Sequence, residues 1–183
     1  MKEKKRRQLL ERMLRPRILV TSHIAMSFFR KKTRIPASLH TVEAVDVARY
    51  CGTWYEAASI PRKRQKRCAN TKAEYTLTPE GKVRVVNSCR RHGKTVSIKA
   101  LGSPVSGSGN AWLKVRFFGI INADYRVIEL AADYSWAVVS NTTGSGLWVL
   151  SRTPYPDRTV YDGIMEKLRS RGIETSGIEK TAQ

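Results

Sequence analysis

The feature that most constrains this chain is its punctuation. From about residue 42 onward, short apolar runs are cut off by turn residues roughly every 8–12 positions. Trp54–Ile60 runs into the polar loop 61–67, and Ala73–Leu77 into Thr78-Pro79-Glu80-Gly81. Val83–Ser88 ends at Arg91-His92-Gly93, and Thr95–Leu101 at Gly102-Ser103-Pro104 and the Gly/Ser stretch 106–110. Trp112–Phe118, Tyr125–Ala131, Trp136–Ser140 and Leu147–Ser151 follow, each closed by Gly, Asp, Asn or Pro. Eight strand candidates in succession with short connections predict an antiparallel sandwich or barrel.

Alternation within the runs supports strands. In Trp112–Phe117, Leu113, Val115 and Phe117 share one face while Lys114 and Arg116 share the other. In Val83–Asn87, the residues Val83, Val85 and Asn87 face together. One helix is predicted after them, over Val160–Arg171, with Ile164, Met165 and Leu168 at helical spacing. Pro156-Asp157 opens it and Gly172 closes it. Strands in series followed by one helix exclude the strand–helix alternation of a parallel α/β sheet.

Three short segments carry a family resemblance: Gly52-Thr53-Trp54-Tyr55-Glu56, Asp133-Tyr134, and Leu150-Ser151-Arg152-Thr153-Pro154. In this order, on eight strands and a helix, they resemble the three signature regions of the lipocalins. Within that family the chain is similar to the bacterial lipocalin (Blc) and apolipoprotein D type. Lys114-Val115, Phe117-Phe118-Gly119 and Tyr125-Arg126-Val127-Ile128 add to that likeness. The resemblance spans roughly residues 42–178. It implies an all-β fold, an eight-stranded up-and-down antiparallel β-barrel of the lipocalin/calycin kind with a C-terminal α-helix. A basic extension (1–41) precedes that domain and a short tail (179–183) follows it. A barrel of eight strands is about the size that holds one small ligand.

The resemblance also assigns roles. Trp54 plugs the closed end and Arg152 stacks across it, a contact worth about 0.5–2 kcal/mol; both are structural residues. Strand parity, guided by the family pattern, turns Tyr75, Val85, Asn87, Leu113, Val115, Phe117, Tyr125, Val127 and Trp148 inward as the ligand-contact set. The set is largely apolar and aromatic, as a small-molecule pocket is, although several of its members could equally fill the barrel. Glu129 shares the parity of Tyr125 and Val127. A carboxylate in an apolar cavity needs a partner, so either it reaches the polar mouth or the register shifts there.

Charge is distributed unevenly. The chain carries 34 Lys/Arg against 15 Asp/Glu, and residues 1–34 alone hold 12 and 2 of these. About half of the +19 excess thus lies in under a fifth of the chain. The extension admits three readings: a weak export signal around Ile18–Phe29, a basic amphipathic helix on a membrane surface, or a disordered basic extension, which includes extra residues before a later start at Met13 or Met26. Its apolar stretch is too short to span a bilayer. A second basic cluster, Arg62, Lys63, Arg64, Lys66 and Arg67, joins the first two strands. It is either a solvated loop or a cationic lip over the barrel mouth, suited to an anionic headgroup or a membrane surface.

Cys68 and Cys89 lie about equally far on either side of a turn near residues 79–80. Opposed across one hairpin, they are expected to form a disulfide, the other reading being two free buried thiols. Cys51 is left over as a small buried side chain. Three scattered histidines and no metal-spaced or triad-like motif argue against an enzyme, so no catalytic residue, metal or cofactor is expected.

The expected function is binding of a fatty acid or lysophospholipid, stored or carried for envelope maintenance under stress. A haem, a retinoid or another small hydrophobic ligand is the alternative. Localisation is expected in the cell envelope, periplasm or outer membrane, with no lipoprotein cysteine or clean signal peptide in the sequence. Beyond the ligand, the candidate partners are an anionic membrane surface and a second copy of the chain. Nucleic acid is not expected, because the basic extension offers only Phe28-Phe29 for stacking.

Overall fold

A computed structural model describes residues 36, 39–61 and 68–183 of the 183. Eight consecutive antiparallel strands form a closed barrel: β1 (Gly52–Ser59), β2 (Ala69–Leu77), β3 (Val83–Arg91), β4 (Lys94–Pro104), β5 (Trp112–Phe117), β6 (Ile121–Leu130), β7 (Trp136–Ser140) and β8 (Leu147–Ser151). Each pairs with the next, and β1 pairs with both β8 and β2, which closes the ring. All eight expected strands are present. Strands β2, β4 and β6 are longer than the apolar runs suggest. In β6, Asn122, Ala123 and Asp124 extend the strand by pairing with Arg116, Val115 and Lys114 of β5. Partner strands fix that polar stretch, where its own side chains carry no strand signal.

A single-turn helix, α1 (Val47–Tyr50), precedes the barrel. Asp46 caps it by accepting the Ala48 and Arg49 amides at 2.9 and 3.2 Å. The segment leading into it is tied to the barrel by Val42 N–H to the Val127 carbonyl and Val45 N–H to the Gly109 carbonyl. It therefore crosses the end of the barrel where β1 begins and closes it.

Helix α2 (Arg158–Ser170) lies against the outside of the barrel. Its Ile164, Met165 and Leu168 are buried with Ala57, Ala58, Ile128, Val138, Leu147 and Val149. Strands β7 and β8 thus have both faces covered: Val138, Leu147 and Val149 pack outward under the helix, while Val139 and Leu150 pack inward. That two-sided burial is why these strands read as continuous apolar runs. Gly172 has φ +75° and ends the helix, with the Ile173 amide reaching back to the Leu168 carbonyl. Residues 179–183, a tail by sequence, add a short ninth strand. Within them β9 (Glu179–Lys180) pairs with Ala58 and Ser59 of β1.

Cys68 and Cys89 are joined by a disulfide, with Cα atoms 5.5 Å apart. Cys51 is half-buried, not fully buried as expected. It is the residue at which α1 turns into β1, and partial burial raises its thiol pKa.

Candidate ligand-binding barrel

Local geometry builds the closed end first. The Trp54 side chain is fully buried and its indole N–H donates to the Tyr50 carbonyl at 2.8 Å. The Arg152 guanidinium lies 3.9 Å from the Trp54 ring centroid. Its nitrogens donate to the carbonyls of Arg49 (2.7 Å), Thr53 (2.9 Å), and Tyr50 and Tyr134 (both 3.3 Å). One side chain thereby ties together α1, β1 and the β6–β7 turn. Gly52 is required here: its φ is +99°, and a Cβ would meet the Arg152 guanidinium at 3.3 Å. Tyr134 has φ +62° in the β6–β7 turn, where its hydroxyl accepts the Asp46 amide at 2.9 Å and its ring faces Arg49 at 4.0 Å. Asp133 holds that turn through the Ser135 hydroxyl and amide, which lower its carboxyl pKa. The three sequence motifs meet at this one end of the barrel.

Above Trp54 the interior contains Tyr75, Val85, Leu113, Val115 and Val127 buried in one cluster, with Phe117, Tyr125 and Trp148 partly buried against it. Asn87, opposite Ala73 and Ile98, is half-buried on the same face as Val85. Trp148 lies across from Val139 and beside Ser59, toward the other end. Lys114 points outward and ion-pairs with Asp124 at 2.5 Å.

Glu129 is not in the cavity. A bulge between Val127 and Glu129 flips the parity of β6: Val127 packs inside, Ile128 packs under α2, and Glu129 pairs with Arg171 at 2.6 Å. Arg171, at the end of α2, also donates to the Ile128 and His40 carbonyls. The register shift resolves the carboxylate that strict alternation would bury.

The interior also holds polar residues that the sequence reading did not assign. Tyr50, from α1, joins Tyr75 and Tyr125 above Trp54; its ring centroid is 4.9 Å from that of Trp54 and 5.8 Å from that of Tyr75. Glu56 is buried on β1 and accepts from the Ser59 hydroxyl at 2.7 Å and the Thr181 hydroxyl at 2.8 Å. Counting two residues on from Trp54 would have turned Glu56 inward. No periodic signal marks Tyr50, which precedes the first strand. Outside the barrel, a groove of about 480 Å³ is bounded by Tyr55, Lys72, Ser88, Arg90, Tyr155 and Gln183, and it includes none of the predicted ligand contacts. The basic cluster Arg62, Lys63, Arg64, Lys66 and Arg67 lies outside the described residues, as do residues 1–35, 37 and 38 of the N-terminal extension. Among the described residues, no three His, Cys, Asp or Glu side chains converge as metal ligands.

An eight-stranded up-and-down barrel closed at one end by a tryptophan under an arginine, with a helix on its outer wall, defines a calycin-type container. The chain belongs to the lipocalin family: the model of the Lipocalin-like domain matches residues 45–183. It is 34% identical to temperature-induced lipocalin-1 of Arabidopsis thaliana, over 79% of this chain and 83% of that protein. It is also 34% identical to the outer membrane lipoprotein Blc of Vibrio cholerae (78% and 85% covered) and 33% identical to Bos taurus apolipoprotein D (77% and 78%). Insecticyanin from the tobacco hornworm shares the fold, with a TM-score of 0.63 at 18% identity over 82% of this chain and 86% of that one.

Proposed function

We propose that this lipocalin carries a lipid: one acyl chain, as a fatty acid or lysophospholipid, held in the barrel without chemical change. The observation that carries the reading is the interior wall. Val85, Leu113, Val115, Phe117, Val127 and Trp148 belong to one interior apolar cluster above Trp54. Burying acyl CH₂ groups against such a wall supplies about 0.8 kcal/mol each. Asn87, Tyr75 and Tyr125 add the few polar groups that orient a ligand. Kinship with Blc, an outer membrane lipoprotein in Vibrio cholerae, Citrobacter freundii and Escherichia coli, supports a role in the cell envelope.

The open end supports docking on an anionic membrane surface. The β5–β6 hairpin ends there with Phe118, Ile120 and Ile121 exposed by 72%, 81% and 55%. Arg91 and Lys94, at the neighbouring β3–β4 turn, are exposed at the same end. Apolar tips among cations suit the interface of a bilayer. Replacing Arg62, Lys63, Arg64, Lys66 and Arg67 with Ser or Gln is expected to weaken binding to anionic vesicles and to flatten its salt dependence. A chain starting at residue 41 removes the competing basic extension from that assay. Equal binding of anionic and neutral vesicles with the loop intact would reduce the loop to a solvated turn.

The ligand reading is tested by native mass spectrometry and lipid extraction of the purified protein. A mass increment of one fatty acid or lysophospholipid is expected. A stoichiometric haem or retinoid would overturn the acyl assignment.

A further inference from the structure

The three tyrosines above Trp54 form a hydrogen-bonded chain with one proton left over. The Tyr50 and Tyr125 hydroxyls are 2.8 Å apart, and Tyr125 donates to Tyr75 at 3.0 Å. With Tyr125 donating to Tyr75, Tyr50 must donate to Tyr125, because each phenol has a single proton. Three protons serve two bonds, and the unspent one is on Tyr75. The Tyr75 side chain belongs to the interior cluster and is 7% exposed. A buried donor without an acceptor is costly, so the position favours a ligand atom that accepts.

We propose that the floor of the barrel is a subsite for a neutral oxygen acceptor, a ketone, ester or hydroxyl carried on the buried end of the ligand and bound by the Tyr75 hydroxyl. This rests on the reading of the barrel as a container for acyl lipids and deepens it: the preferred cargo is oxygenated at the end farthest from the mouth. The electrostatics of the floor select a neutral group. Burial raises the Tyr75 pKa to about 12 and pushes Tyr50 and Tyr125 well above the ordinary phenol value. Desolvation there outweighs the nearby Arg152 cation, whose nitrogens are already engaged with backbone carbonyls. A site that resists phenolate also resists a carboxylate. The carboxyl end of a fatty acid then stays at the mouth, the end that carries Arg91 and Lys94.

The test compares palmitic acid with its analogue bearing a ketone at the penultimate carbon, by calorimetric titration of the full chain. In an apolar pocket the ketone weakens binding, because a polar group is buried unpaired. Here the ketone is expected to bind at least as tightly as palmitic acid, and roughly fivefold tighter if the hydrogen bond is well aligned. Tyr75→Phe should reverse that order by about tenfold, read as the ratio of the two affinities within the same variant. Weaker binding of the ketone to the unaltered protein overturns the subsite while leaving the acyl reading intact, and needs no variant to fold. So does an unchanged preference in Tyr75→Phe. Failure of both ligands to bind overturns the acyl reading and the subsite with it.

Discussion

Arg152 illustrates how much one side chain can organise. It covers Trp54 at 3.9 Å and donates to four carbonyls from three segments, so its removal strips those hydrogen bonds and uncovers the indole face. Trp54→Ala is expected to cost about 3–5 kcal/mol by opening a cavity in the floor, and Arg152→Ala less. A double-mutant cycle on urea unfolding should give a coupling of about 1–2 kcal/mol; additive losses would mean that the stacking contributes nothing. The tyrosine chain makes a second prediction at this scale. Its folded pKa values are raised, so its stabilising effect is complete below the unfolded value near 10 and is lost as pH rises through about 12. In an alkaline absorbance titration, Tyr50, Tyr75 and Tyr125 should therefore ionise only as the protein unfolds. Seven phenols titrating together in a folded barrel would contradict the buried chain.

At the scale of elements, alternation and turn residues made all eight strands and the helix legible before any coordinates. Local pattern is strong where one face of a strand is wet, as in Trp112–Phe117, with Lys114 and Arg116 outside. It failed where tertiary context decides. The bulge after Val127 leaves no sequence signal of its own, and only the paired Glu129 and Arg171 show why the carboxylate escapes the cavity. Tyr50 was missed because a four-residue helix has too little periodicity to assign a face. The contrast between the two sides of β6 can be measured. Leu168→Ala, on the buried face of α2, should lower stability by about 2–5 kcal/mol. Glu129→Gln should leave palmitic acid binding unchanged, since the side chain pairs with Arg171 outside the barrel. A loss of affinity in Glu129→Gln comparable to that of an interior substitution would place the residue back on the ligand face.

For the whole molecule, closure at one end and a cation-rich opposite end give the barrel a direction. The motifs gather at the Trp54 end, and the strands rise from it to hairpins carrying exposed Phe118 and Ile120 beside Arg91 and Lys94. An acyl lipid would enter tail first between those hairpins and run past Trp148 toward the tyrosines. The central claim is that the inner wall, and not the charged outer surface, captures the chain. Calorimetric titration of palmitic acid into the unaltered protein, Trp148→Ala and Lys114→Ala tests it most directly. The account predicts saturable binding of one ligand per chain, weakened roughly tenfold or more by Trp148→Ala and unchanged by Lys114→Ala, whose side chain faces Asp124 outside. Binding that survives Trp148→Ala but falls in Lys114→Ala would place the ligand on the outer surface and contradict it.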